Sequence, residues 1–279
     1  MHGLTIIGFV GSVFSPYYAR ARKTGLGNPE NHCAINVALY GTPRRWAMTE
    51  RGSSRVMRSI DHFSVGPSSM TWQGDQLTID VQERCTPLPM PLRGRVVFSP
   101  RKTYNSPVQL DQNGKHHWQA VAPHGHVTVE FDHPKLTWSG SAYHDMNWGD
   151  EPLERGFKRW TWLRTNTDAG TQVLYEVERR DGSRFAFGRI FNQGHVRERA
   201  VPALHALPRG VWGMAREVAS ESQPSLIEKL EDAPFYTRNR IGMMLDGKVC
   251  EAYHESLSLD RFVHPVVQMM LPFRMPRLA

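Results

Sequence analysis

Cysteine is scarce. Cys33, Cys85 and Cys250 are odd in number, lie far apart and form no CxxC pair, which excludes a disulfide framework and a zinc ribbon and fits a reducing compartment. Long apolar runs are lacking too. The longest, Leu4 to Phe14, is broken by Thr5, Gly8, Gly11 and Ser12 and is too short to span a bilayer as a helix. Ala19-Arg20-Ala21 has the form of a signal cleavage site, but no Lys or Arg precedes the apolar run, so neither export nor a transmembrane anchor is expected. There is no GxGxxG, Walker loop, GxSxG elbow or HExxH, which removes the strongest supports for nucleotide, serine-hydrolase and classical zinc chemistry. Basic runs are missing as well: Lys and Arg fall singly or in pairs (Arg44-Arg45, Arg101-Lys102, Arg179-Arg180), which argues against nucleic acid.

What is present is a chain of 279 residues, enough for one large domain or two small ones, with ordinary globular composition. Thirty-four Lys and Arg against 27 Asp and Glu give +7, a diffuse field that favours an anionic partner such as a phospholipid surface. Nineteen prolines and 23 glycines cut the sequence into short pieces. Leu77, Ile79 and Val81 alternate with Thr78 and Asp80, and Val127, Val129 and Phe131 alternate with Thr128, Glu130 and Asp132, the pattern of half-buried antiparallel strands. Asn113-Gly114, Asp181-Gly182 and Asp246-Gly247 supply turn residues that tolerate positive φ. The expectation is a mainly β chain in two barrel-like units, residues 1–150 and 151–279, parted near the polar stretch Gly149 to Gly156. Two short helices are expected, one opened by the capping box Ser225-x-x-Glu228 and ending near Asp232, the other near Leu259 to Val267 with Pro265 kinking or delaying it.

Three constellations carry candidate chemistry. His124-Gly125-His126-x3-Glu130 resembles a cupin metal motif without its flanking glycines, and a polar strand edge accounts for it better. In the second, Tyr143, Asp145 and Asn147 alternate on one strand face with Trp138, Trp148, Trp160 and Trp162 nearby. A carboxyl walled by aromatics is desolvated and can stay protonated as a general acid, although an Asp anchoring a turn or pairing with Arg has the same signature. In the third, His116 and Trp118 share a strand face, which places an imidazole and an indole in one cavity or leaves His116 as a structural hydrogen-bonder.

GFVGSVFSPYY (Gly8 to Tyr18), NHCAINVALYG (Asn31 to Gly41), WAMTERG (Trp46 to Gly52), GSAYHDMNWGDEPLE (Gly140 to Glu154) and PFRMPRL (Pro272 to Leu278) resemble bacterial carotenoid 1,2-hydratases, or hydroxyneurosporene synthases, nearly end to end. The resemblance implies two lipocalin-like antiparallel β-barrels and a cofactor-free, metal-free hydro-lyase that adds water to the terminal C1,C2 double bond of neurosporene or lycopene. It implies that Asp145 is the acid, with Tyr143 beside it and His116 and Trp118 as the functional His-x-Trp pair. Trp118 and Tyr143, with Trp148 and Trp138 as further substrate-binding candidates, would face the carbocation, and a water held by His116 or Asp145 would complete the addition. Three other classes stay open, an apolar-ligand carrier, a pericyclase-type enzyme on the same fold and a metal oxygenase. An acyclic carotene is almost insoluble in water, so the enzyme is expected to dock peripherally on an anionic membrane, on its cytoplasmic side. The tail Val266 to Leu278 suits this, with Val267, Met269, Met270, Leu271, Phe273 and Met275 as apolar area and Arg274 and Arg277 for headgroups.

Overall fold

The alternating patterns are strands in the computed structural model, which describes residues 2–278. Leu77, Ile79, Val81, Val127, Val129 and Phe131 are all buried, with the intervening polar residues turned outward. Short turns set the register. Asp246 and Gly247 both take positive φ (54° and 69°), joining Tyr236–Leu245 to Lys248–Ser258 with Leu245 opposite Lys248.

Two units partition the described chain, and each draws on several segments: residues 1–101, 124–143 and 268–279 in one, 102–123 and 144–267 in the other. The chain thus passes between them at four places. In the first unit, β1 (Gly3–Phe9), β2 (Ala34–Tyr40) and β3 (Arg45–Met48) form an antiparallel sheet, and α1 (Pro16–Lys23) is capped by Ser15. The two-residue β4 (Glu50–Arg51) follows, and β5 (Val56–Arg58), β6 (His62–Val65), β7 (Ser68–Gln73), β8 (Gln76–Arg84) and β9 (Pro91–Pro100) run as a meander. After β10 (Val108–Gln109) come the long strands β11 (His116–His133) and β12 (Lys135–Gly149), which pair with each other and pass through both units. Along β11 the buried set changes parity: His116, Trp118, Ala120 and Ala122 give way to Gly125, Val127, Val129 and Phe131 beyond Pro123.

The second unit holds α2 (Leu153–Gly156) and a seven-stranded antiparallel sheet. Its strands are β13 (Phe157–Thr167), β14 (Gly170–Arg179), β15 (Arg184–Asn192), β16 (His195–Arg199), β19 (Ser225–Asp232), β20 (Tyr236–Leu245) and β21 (Lys248–Ser258), with β17 (Leu204–Leu207) paired to β18 (Arg216–Ala219). One face of this sheet is aliphatic: Leu163, Leu174, Ile241, Met243 and Ala252 pack with Leu207 and Val218. The other face is aromatic, because the register aligns Trp162, Tyr175 and Phe187 across β13, β14 and β15.

The molecule is mainly β, as expected, but its sheets are open rather than closed barrels; the seven-stranded sheet ends at β16 and β19. The capping-box helix is a strand. Ser225 to Asp232 pairs with β20, Glu228 lies opposite Arg240, and burial alternates, so cross-strand pairing overrides the local N-cap signal. At the C-terminus two helices form in place of one, α3 (Leu259–Phe262) and α4 (Pro265–Arg274), with Pro265 opening the second, where its missing N–H costs nothing. The tail folds back on the first unit. Val267, Leu271 and Met275 are buried, the terminal β22 (Arg277–Leu278) pairs in parallel with β4, and Arg277 binds the buried carboxylate of Glu50, so these groups do not face a membrane. Val266, Met269 and Phe273 point outward.

Candidate active site

The site lies in the second unit and is built by β11, β12, β13, β14 and β15. Even-numbered residues at the start of β11 point inward, so His116 and Trp118 are both buried, Trp118 completely. The Trp118 indole Nε1–H donates to Asp145 Oδ2 at 2.8 Å, joining the third constellation to the second. An indole N–H can only donate, so Oδ2 is its acceptor.

Around this pair stand aromatic rings that the sequence reading left unassigned. Trp118 packs against Tyr175 and Phe187 at 5.9 and 5.4 Å between centroids, and Tyr175 stacks on Phe187 at 5.4 Å and 13°. Trp160 lies 6.4 Å from Tyr175. Burial, reinforced by the charges of Asp145 and Glu255, pushes the Tyr175 phenol well above its ordinary range, so it stays neutral at any working pH. A signal for Tyr175 and Phe187 existed: a hairpin centred on Asp181 places 175 opposite 187, and the structure has that pairing. Beyond Phe187 a groove of about 440 Å³ is lined by Pro107, Val108, Phe185, Phe187 and Arg189.

His116 is held tightly. Its ring meets Phe157 edge-on at 4.7 Å, and a Cβ on either Gly149 or Gly156 would come within 3.0 or 2.8 Å of it, so the polar stretch expected to be a boundary supplies the clearance for this imidazole. Neither ring nitrogen has a hydrogen-bond partner within 3.5 Å, and Asp111 Oδ2 lies 3.8 Å from Nδ1. Asp111 Oδ1 accepts the backbone N–H groups of Lys115 and His116 at 2.9 and 3.0 Å.

The remaining candidates lie elsewhere. Tyr143 is half-buried two residues before Asp145 on β12, so the two share a strand face. Trp148, 40% exposed, is of opposite parity to Asp145 and stacks on His117 at 5.2 Å and 8°. Trp138, half-buried, belongs to the first unit. His126 and Glu130 are exposed on β11, and among the described residues the one group of His, Cys, Asp or Glu side chains close enough to hold a metal ion is Asp111, His116 and Glu151, with the Lys115 ammonium 3.1 Å from Glu151.

An antiparallel β protein with a carboxyl hydrogen-bonded to an indole among stacked aromatics defines a class: an open-sheeted β scaffold, consistent with a lipocalin-like fold, that sets a carboxyl in an aromatic cluster. A crystal structure of an AttH-like protein from Nitrosomonas europaea supports the scaffold, with a TM-score of 0.57 at 14% identity over 81% of each chain. Residues 6–279 match the family described as carotenoid hydratase CrtC, and the chain belongs to that family. Acyclic carotenoid 1,2-hydratases from Thiocapsa roseopersicina and Rubrivivax gelatinosus are 47% and 44% identical over all of this chain and 70% of their own length. One from Cereibacter sphaeroides is 37% identical over 98% of both chains.

Proposed function

We propose that this chain, by its family a hydratase of acyclic carotenoids in carotenoid biosynthesis, adds water at the terminal C1,C2 double bond by acid catalysis with Asp145 as the proton donor. The observation that carries this reading is the Trp118–Asp145 hydrogen bond inside the Trp118, Tyr175 and Phe187 cluster.

Protonating a trisubstituted terminal alkene at C2 leaves a tertiary cation at C1, and a neutral carboxyl shielded from water is suited to deliver that proton. The cation then faces aromatic rings, each stabilising it by up to about 2 kcal/mol when desolvated, and those rings cannot capture it. Trp118 and Tyr143 fill this role in the reading from sequence, and the Tyr175 and Phe187 rings beside Trp118 add to it. A water molecule attacks C1 with its oxygen, and its surplus proton returns to Asp145 directly or through His116, restoring the acid. No redox change occurs, so no redox cofactor is required.

The test is incubation with lycopene or neurosporene in oxygen-18 water, with products separated by chromatography and weighed by mass spectrometry. Wild type is expected to incorporate one labelled oxygen per hydrated end; a product without label would point to a pericyclic reaction, and unchanged polyene in a bound state to a carrier. Asp145→Asn is expected to fold and lose about 100-fold in turnover, the scale of a lost general acid, and near-normal hydration would remove Asp145 from the role. Trp118→Phe keeps a ring and deletes the N–H donor, so a smaller loss of about tenfold is expected.

A further inference from the structure

The tail packs on the first unit, yet part of it faces outward beside other exposed apolar residues. On α4, Met269 is 66% and Phe273 77% exposed, while the hairpin tip between β8 and β9 exposes Leu88 at 65% and Met90 at 37%. These two elements are joined at one place. Thr86 Oγ1 donates to the Arg274 carbonyl at 2.9 Å, Thr86 N–H donates to the Trp46 carbonyl at 3.0 Å, and the Arg274 guanidinium lies over the Trp46 ring at 4.1 Å. Phe273 and Leu88 are therefore each within two residues of a shared junction.

The charge around this junction is of one sign. Thr42–Met48, Arg84–Leu92 and Gln268–Leu278 contain Arg44, Arg45, Arg84, Arg274 and Arg277 and no Asp or Glu. Of the acids that flank them, Glu50 is buried against Arg277 and Glu83 against Arg51. Apolar side chains standing out from a backbone set with arginines complement an anionic phospholipid bilayer, which takes hydrocarbon at its boundary and offers phosphates to guanidinium groups. A protein partner would need acids placed to match, whereas a lipid surface adapts to the arginines as they stand.

We infer that Leu88 and Met90 on the β8–β9 hairpin tip and Met269 and Phe273 on α4, set among Arg44, Arg84 and Arg274, form the surface by which the protein docks on an anionic bilayer. This rests on the carotenoid reading above, since it is the bilayer that holds such a substrate. The surface differs from a peripheral tail: the buried side of the helix fixes it to the fold, and two of its four apolar residues come from a hairpin more than 170 residues earlier.

The experiment is flotation of the full chain with vesicles of phosphatidylcholine alone or with phosphatidylglycerol, at low and high salt. Wild type is expected to float with the anionic vesicles at low salt and to be released by salt. The pair Leu88→Ser with Phe273→Ser, and separately Arg84→Glu with Arg274→Glu, should each weaken binding about tenfold or more, with melting temperature unchanged, because all four positions are at the surface. Hydration of detergent-dispersed substrate is assayed in parallel and should remain near wild type in both pairs. Wild-type binding by both folded variants, equal binding to neutral vesicles, or a dimer in the absence of vesicles that the apolar pair disrupts would overturn the inference. Loss of hydration in wild type itself would strike the catalytic reading instead.

Discussion

Asp111 anchors the start of β11 beside His116. One of its oxygens accepts the backbone N–H groups of Lys115 and His116, and the other lies 3.8 Å from His116 Nδ1, beyond hydrogen-bond range, so the carboxylate fixes where β11 begins and sets its charge beside the imidazole. If His116 handles the water or its proton, Asp111→Asn should lower kcat about tenfold with KM unchanged, since the amide preserves the shape and removes the charge. Asp111→Ala should also strip two backbone N–H donors, those of Lys115 and His116, of their carboxylate acceptor, lowering stability by about 1–3 kcal/mol in a denaturant titration. Equal kcat for Asn and wild type would leave Asp111 a purely structural role. Nothing in the sequence pairs Asp111 with His116, because the pairing depends on the turn between β10 and β11.

Among elements, β21 carries a buried histidine with a measurable consequence. His254 is fully buried, its Nε2–H donates to the Glu217 carbonyl at 2.9 Å beside Thr161, and burial pushes it down to about 4. Its ordinary value in an unfolded chain is about 6.5, so between these limits the unfolded state takes up a proton that the native state does not. Stability is therefore full above pH 6.5 and falls as pH drops towards 4, by about 3 kcal/mol from this residue. His254→Gln should flatten that part of the curve when melting is followed from pH 7 to pH 4. Strand alternation and Asp-Gly turns made the hairpins readable, since both signals are local. The same locality misled at Ser225, where a capping box sits in a segment that a neighbouring strand claims.

For the molecule as a whole, the reaction calls for no electron transfer, and of the Asp111, His116 and Glu151 group one Asp111 oxygen holds two backbone amides and Glu151 meets the Lys115 ammonium. Dialysis against a strong chelator should accordingly leave hydration of detergent-dispersed lycopene unchanged without added nicotinamide or flavin; stoichiometric bound metal whose removal abolishes turnover would defeat this. The two units are interleaved, their segments alternating along the chain. Such interleaving comes from non-local pairing, in which β11 and β12 each serve both units, and no composition shift marks it.

By itself the sequence determined the β class, the Asp246-Gly247 hairpin, the His-x-Trp and Tyr-x-Asp motifs and the family, because alternation, turn chemistry and contiguous motifs are written over short spans. Only the tertiary structure decided that the indole of Trp118 reaches Asp145, that Tyr175 and Phe187 from another hairpin close around them, and that Trp148 stacks on His117 instead. It also decided which side of the tail is buried. These are contacts between residues tens to hundreds of positions apart, fixed by which strands come together and which faces they turn inward, and a pattern confined to one segment holds no record of that choice.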